Sequence, residues 1–241
     1  MTQFTAFVKA TILAVWGALR PPTEGQAQRR AHLAPSLIVP IRSLGSNHRS
    51  RIAKHLLSLS ARDRYLRFGY AAQDAQIQLY ADGLNFERDD IFGIYDRKLT
   101  LLAVAHLAYG DKKQACAEFG VSVREKSRGR GYAALLFERC AMQARNHNVQ
   151  TLFIHALSEN AAMLKIARNA GARVQREGME SEAYLQLPQA SLNSRATEIM
   201  QEQLARADYR LKVQAKQFWR LVSGMQSARQ AVSQAQKNHL S

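Results

Sequence analysis

The 241-residue chain is 46% hydrophobic and 22% charged, which excludes a disordered composition and leaves a globular core with extensions. Its formal net charge of +15 admits an acidic partner, a nucleic acid or an anionic small molecule. The excess is dispersed, +3 in residues 1–35, +7 in 36–188 and +5 in 189–241, so the concentrated basic stripe of a duplex binder is missing and nucleic acid is disfavoured.

In chain order, Ala10–Leu19 is an apolar stretch too short for a membrane span. A thin positive start and no small-residue cleavage site argue against a signal peptide, so the segment is expected to be an amphipathic docking helix or a segment upstream of the functional start. Gln26–Pro35 reads as a polar, basic linker. Leu37–Ile41 is expected to be a strand at a sheet edge, because Pro40 cannot donate to a ladder. Ile52, His55, Leu56 and Leu59 have helical spacing. Ser60 starts a new turn with Asp63 three residues on. A further helix is expected over Asp74–Asp82, ended by Gly83.

Strands then dominate. Ile91–Tyr95 and Leu99–Leu107 form an expected hairpin around Asp96, Arg97 and Lys98. A third strand, Ala115–Val123, would place Ala115, Ala117, Phe119, Val121 and Val123 on one face and Cys116, Glu118, Gly120 and Ser122 on the other. Ala133, Leu136, Phe137, Cys140, Ala141 and Ala144 make the apolar stripe of a long helix. Strand Thr151–Leu157, helix Asn160–Asn169 and a strand pair at Arg173–Arg176 and Ala183–Leu187 complete the core. After Pro188, apolar residues Met200, Leu204, Ala207, Leu211, Ala215, Phe218, Val222 and Met225 recur at steps of three and four. They predict a long amphipathic helix or helix pair that packs on the core or on a second copy. The expected organisation is an extension at 1–35, a central domain at 36–188 and a helical extension at 189–241.

The chemistry concentrates in Val121–Leu136, where a strand ends, a short loop carries Gly129 and Gly131, and a helix begins. Helix N-termini have unsatisfied N–H groups and a partial positive charge, so this is a ready site for a pyrophosphate. The glycines let backbone approach the anion, and Arg128 and Arg130 add charge and donors. No Gly-Lys-Ser/Thr follows, which excludes a Walker loop, and the spacing is not that of a dinucleotide fold. The two cysteines, Cys116 and Cys140, make neither a disulfide framework nor a metal cluster. No metal is expected, and a reducing cytoplasm is the expected setting.

Arg128, Gly129, Arg130, Gly131, Tyr132 and Ala133 match the Arg/Gln-x-x-Gly-x-Gly/Ala motif of the GNAT superfamily of N-acetyltransferases. Asn160 through Met163 and Ala167 to Gly171 and Ala172 are similar to that family's second signature, after the next strand. The resemblance covers roughly residues 36–187. It implies an α/β (α+β) fold: a mixed, mostly antiparallel sheet flanked by helices, here with a C-terminal helical extension. It implies acetyl-CoA as cosubstrate, with its pyrophosphate on the amides of Gly129–Ala133, its pantetheine arm on the backbone of Val121 and Val123, and Asn160 on its other side. An N–H near Val121 would stabilise the oxyanion.

The implied reaction is direct attack of a primary amine, on a protein lysine or a small molecule, upon the thioester. An amine of pKa near ~10.4 arrives protonated, so a base is needed. Glu118 is the candidate, where the family often places a glutamate; its uncharged sequence neighbours are expected to raise its pKa by desolvation. The sequence departs from the family at Ala167, where many members have the tyrosine that protonates the leaving thiolate. Water, Ser158 and Tyr184 remain as stand-ins, and His155 reads as a packed histidine. Asn160–Met163 with Arg64–Phe68 resembles the GNAT domains of bacterial protein-lysine acetyltransferases. Two other readings stay open: a degenerate GNAT module that binds coenzyme A as sensor or scaffold, and a nucleic-acid-associated basic protein. A homodimer through the C-terminal helix is a further expectation, and no transmembrane segment is expected.

Overall fold

A computed structural model describes residues 39–110, 115–190 and 195–217. The expected docking helix Ala10–Leu19 and linker Gln26–Pro35 lie outside the described residues. By its contacts the chain divides into Met1–Val39 and Pro40–Ser241, and the sheet with its helices belongs to the second unit.

Seven strands form one sheet in the order β1-β2-β3-β4-β5-β7-β6. They are β1 (Ile41–Ser43), β2 (Asp90–Tyr95), β3 (Leu101–Tyr109), β4 (Cys116–Val123), β5 (Thr151–Leu157), β6 (Arg173–Glu177) and β7 (Glu180–Gln186). Every pairing is antiparallel except β4 with β5. Parallel neighbours need a crossover, and helix α4 (Tyr132–Asn146) supplies it. Helices α1 (Arg49–Leu57), α2 (Ala61–Phe68) and α3 (Asp74–Asp82) precede β2, and α5 (Ala161–Asn169) follows β5. A last helix, α6, covers residues 195–217. The mixed, mostly antiparallel sheet flanked by helices is the architecture the sequence implied.

Element ends differ from expectation for local reasons. β1 starts at Ile41, just after Pro40, and is an edge strand as expected. β3 starts at Leu101 because Leu99 is taken up by the turn with φ of 61°, while Asp96 accepts hydrogen bonds from the N–H groups of Lys98 and Thr100 at 2.8 and 2.7 Å. Ala115, at φ 44°, stays outside β4. The last hairpin spans Arg173–Glu177 and Glu180–Gln186, and β7 inserts between β5 and β6.

The sheet is covered on both faces. On one, α4 buries Leu136, Phe137, Cys140 and Ala144, with Phe137 edge-on to Phe119 at 5.0 Å. The same helix buries Arg139 and Gln143, which the apolar stripe leaves out; Arg139 lies 4.5 Å over the Phe92 ring and donates to Gln143 at 2.8 Å. On the other face, Ile52, Leu56, Ile77, Leu84, Ile91 and Val104 form a core under α1 and α3. The two faces of β4 are therefore not one buried and one open. Ala117 and Phe119 are buried on one side and Ser122 on the other, while Val121 and Val123 are only partly covered.

His55 on α1 ties helix to sheet. Its Nδ1–H donates to the Leu101 carbonyl at 3.1 Å and its Nε2 accepts from the Ser122 hydroxyl at 2.9 Å, and burial pushes its pKa down to about 4. The unfolded chain, near ~6.5, binds a proton that the native state refuses. Stability should therefore fall as pH drops through 6.5 toward 4 and then level off, by up to about 3 kcal/mol. Urea denaturation at neutral and at mildly acidic pH checks this. A slope that persists unchanged in His55→Gln would assign it to other groups.

α6 packs on its own chain, with the opposite face from the one expected. Ala205 is buried, and Tyr209 packs against Tyr95 and Arg42, its hydroxyl taking an Arg51 N–H at 2.5 Å. Met200, Leu204 and Leu211, members of the expected packing stripe, are 59%, 46% and 66% exposed. The tyrosine and flanking charges carry the intrachain contact, so the apolar stripe faces outward. The expected stripe residues Phe218, Val222 and Met225 lie outside the described residues.

Candidate acetyl-transfer site

The site begins with a sheet that stops pairing. β4 and β5 match only at Cys116–Thr151, Ala117–Leu152 and Glu118–Phe153, although β4 continues to Val123 and β5 to Leu157. Past Glu118 the facing edges are open. The carbonyl of Cys116 and the N–H of Arg124 point to β3, accepting from Gly110 at 3.0 Å and donating to Leu102 at 2.9 Å. Backbone polar groups alternate sides along a strand, so those of Phe119, Val121 and Val123 turn toward the gap. An extended ligand could add itself there as a strand does.

At the open end lies the glycine loop. A short turn at Glu125–Ser127 leads to Gly129 and Gly131, with φ of 73° and 75°. A β-carbon at either position would meet nothing within 4 Å, so both glycines border open space. Gly131 caps α4 with no side-chain hydrogen bond, and the first turn holds no acidic residue. Among the described residues, the N–H groups of Tyr132 and Ala133 therefore end a helix with no acceptor, the condition an anion satisfies. Arg130 is exposed beside them. Arg128 is not free: it forms an ion pair with Asp63 of α2. Asn160 caps α5, its side chain accepting from the Met163 N–H at 3.2 Å.

α2 roofs the open end. Asp63 holds Arg128, Arg62 makes a two-pronged pair with Glu159 at 2.8 and 3.0 Å, and the Leu66 carbonyl accepts from Asn160 Nδ2 at 3.5 Å. The helix thus joins the loop after β4 to the loop after β5, and none of its own residues is fully buried. Sequence reasoning misses the contacts of Arg62, Asp63 and Glu159, because nothing in their spacing announces partners 65 and 97 residues away.

Glu118 is on the face of β4 turned away from α4, at the last paired position. Its side chain is exposed and among the described residues makes no hydrogen bond or ion pair. The expected desolvation by uncharged neighbours does not arise, because sequence neighbours on a strand alternate faces. Phe153 and Tyr184, edge-on at 5.1 Å, and His155 continue the open surface on β5 and β7. His155 is exposed and 3.4 Å from Glu182, so it is not a packed histidine. Ser158 is occupied by the Gly178 and Glu180 carbonyls and Ser181, and Tyr184 donates to Glu182. Ala167 is buried in α5.

The arrangement thus has two parts. Amides without an acceptor among the described residues sit at the start of α4, and the exposed Glu118 carboxylate, beside Phe153 and Tyr184, sits on the opposite face of the sheet. Among the described residues, no helix is long and apolar enough to cross a membrane, and no group of three His, Cys, Asp or Glu side chains could hold a metal ion.

Comparison with known proteins bears on the fold. The GNAT domain of S. lividans PAT superposes with a TM-score of 0.53 at 19% identity, covering 61% of this chain and 89% of that one. A spermidine N-acetyltransferase from Vibrio cholerae, solved with CoA and spermine, gives 0.50 at 16% identity, covering 61% and 94%. These likenesses are of fold. No curated protein matches the chain. The family model "Acetyltransferase (GNAT) domain" matches residues 41–173, from β1 through the glycine loop to the start of β6. The chain belongs to the GNAT acetyltransferase family and is an acyltransferase.

Proposed function

We propose that the protein transfers an acetyl group from acetyl-CoA to a primary amine, with Glu118 as general base. The observation that carries this reading is the end of β4–β5 pairing at Glu118, beside an uncapped helix start. The gap fits a pantetheine arm against Val121 and Val123; the amides of Gly129–Ala133, with Arg128 and Arg130, fit its diphosphate. Asn160 borders the same space from α5. Acetyl-CoA supplies the activated acyl carbon, and the chain's residues bind it, open a face to the amine and accept the amine's proton. With Ala167 in place of a tyrosine, Ser158 and Tyr184 are already engaged, which leaves water to protonate a thiolate whose parent thiol has a pKa near ~8.5.

Thioester turnover with a panel of amines tests the reading. Tight coenzyme A binding without transfer to any amine would favour the sensor or scaffold alternative. Steeply salt-dependent nucleic-acid binding would favour the third. The setting proposed is cytoplasmic, on the strength of a cysteine count of two.

The homodimer through α6 is proposed with a second copy as occupant of the outward stripe, whose three-and-four spacing suits a like helix. Leu204→Lys with Leu211→Lys should halve the mass in analytical ultracentrifugation if that stripe pairs. A wild-type protein that sediments as a monomer at all concentrations would refute it.

A further inference from the structure

α2 carries three arginines, and two of them meet a carboxylate. Arg62 pairs with Glu159 and Arg64 with Asp74, whereas Arg67 forms no ion pair among the described residues. It is nevertheless fixed. Its Nη2 is 2.9 Å from the Tyr80 hydroxyl, which is 2.7 Å from His106 Nδ1, and His106 Nε2 is 3.1 Å from Asp89 Oδ2. Arg88 grips Asp89 at 2.7 and 2.8 Å, and the Tyr109 N–H adds a bond at 3.2 Å.

Protons can be placed along this chain in one way. Burial lowers the His106 pKa, outweighing Asp89, so the ring carries one proton at neutral pH. Arg67 can only donate, so the Tyr80 oxygen accepts. Tyr80 then gives its proton to Nδ1, and Nε2–H donates to Asp89. Burial alone would raise Asp89, but the bonds from Arg88 and His106 keep it below its usual range. Every link is satisfied and the guanidinium is held with most of its donors unspent. The strand yields to it: a β-carbon at Gly120 would come within 2.6 Å of Arg67 Nη2. A small cavity between sheet and helices lies at this spot, walled half by aliphatic side chains of the core and half by Arg67, Tyr80, His106, Gly120 and Ser122.

We propose that Arg67 is the anion-binding element of the acceptor subsite, so that the preferred amine carries a carboxylate. This rests on the acetyl-transfer reading and narrows it. Gly120 is two residues from Glu118 on the same face of β4, the face away from the diphosphate loop. An amino-acid-like acceptor can present its ammonium to Glu118 while its carboxylate takes two parallel N–H bonds from the planar fork of Arg67. The net charge of +15 works in the same sense, since it repels a diamine more than the matching amino acid, whose carboxylate cancels one positive charge.

Matched amines that differ only by the carboxylate test this: lysine against cadaverine, ornithine against putrescine, alanine against ethylamine. The wild type should favour the carboxylate member of at least one pair by about tenfold or more in kcat/KM. Arg67→Gln should collapse that ratio toward unity, mainly through KM for the acceptor, and Arg67→Lys should restore part of it. Acetyl-CoA affinity measured on each variant reports whether the site is intact. Failure of the transfer reading is told apart by a second readout: equilibrium binding of the acetylated products, with and without carboxylate, to wild type and Arg67→Gln. No preference in the wild type, or the same preference in Arg67→Gln, overturns the proposal by either readout.

Discussion

Gly131→Asp is expected to weaken acetyl-CoA binding by about 100-fold or more. The diphosphate is proposed to rest on amides at the start of α4, where among the described residues no side chain competes for them. A carboxylate built on Gly131 would take those N–H groups itself, as an N-cap aspartate does, and would repel the incoming phosphates. Losing two charge-assisted hydrogen bonds at ~1.5–3 kcal/mol each accounts for the factor. The backbone complicates the test, because φ at Gly131 is 75°. Aspartate visits that region more readily than most residues, and its cap compensates part of the strain. Gly131→Ala separates the causes: it has at least as much strain and a β-carbon in open space, but no charge. Calorimetric titration of both folded variants with acetyl-CoA should show the alanine form far closer to wild type. Equal affinities in all three proteins would remove the helix start from the binding site.

The helix start is legible in the sequence because its physics is local. Two glycines, a strand before and an amphipathic helix after define a turn and a helix start, with amides that suit an anion, wherever the rest of the chain lies. The apolar stripe of α4 and the extent of β5 are readable for the same reason: periodicity is written in neighbouring residues. What cannot be read is what distant residues bring together. Asp63 and Arg128 are paired across the cleft, and nothing near either in sequence says so. The cluster of Arg67, Tyr80, His106 and Asp89 draws on α2, α3, β3 and the loop before β2, and only the sheet register at His106–Gly120 aligns it with the site. α6 departs from expectation differently. Its stripe is apolar, as the spacing says, but one aromatic, Tyr209, bonded to Arg51 and edge-on to Tyr95, outcompetes a row of small aliphatic contacts and turns the helix over. The exposure of Glu118 is hidden because flanking residues in a strand point to the other face, so their lack of charge says nothing about the carboxylate's surroundings.

Glu118→Gln is expected to lower kcat by about 100-fold or more near neutral pH, within the range that general-base assistance usually supplies. The argument is one of proton accounting. An acceptor of pKa near ~10.4 is protonated at neutral pH, and the free amine is about a thousandth of the total. In the proposed mechanism a carboxylate at the splay, unencumbered by any bond among the described residues, accepts that proton within the complex. Glutamine keeps the shape and most of the packing but cannot accept it. The variant must then wait for the rare free amine, so its rate should climb about tenfold per pH unit up to the amine's own pKa, while the wild-type profile is flatter. That slope is what a merely structural role for Glu118 would not produce. An amine of low pKa offers the complementary measurement: because it arrives unprotonated, it should be acetylated by both proteins at similar rates. A loss below about threefold with a lysine-type amine, or a pH profile parallel to wild type, would take Glu118 out of the chemistry and leave the open β4 edge and Arg67 to position an amine that reaches the site already deprotonated.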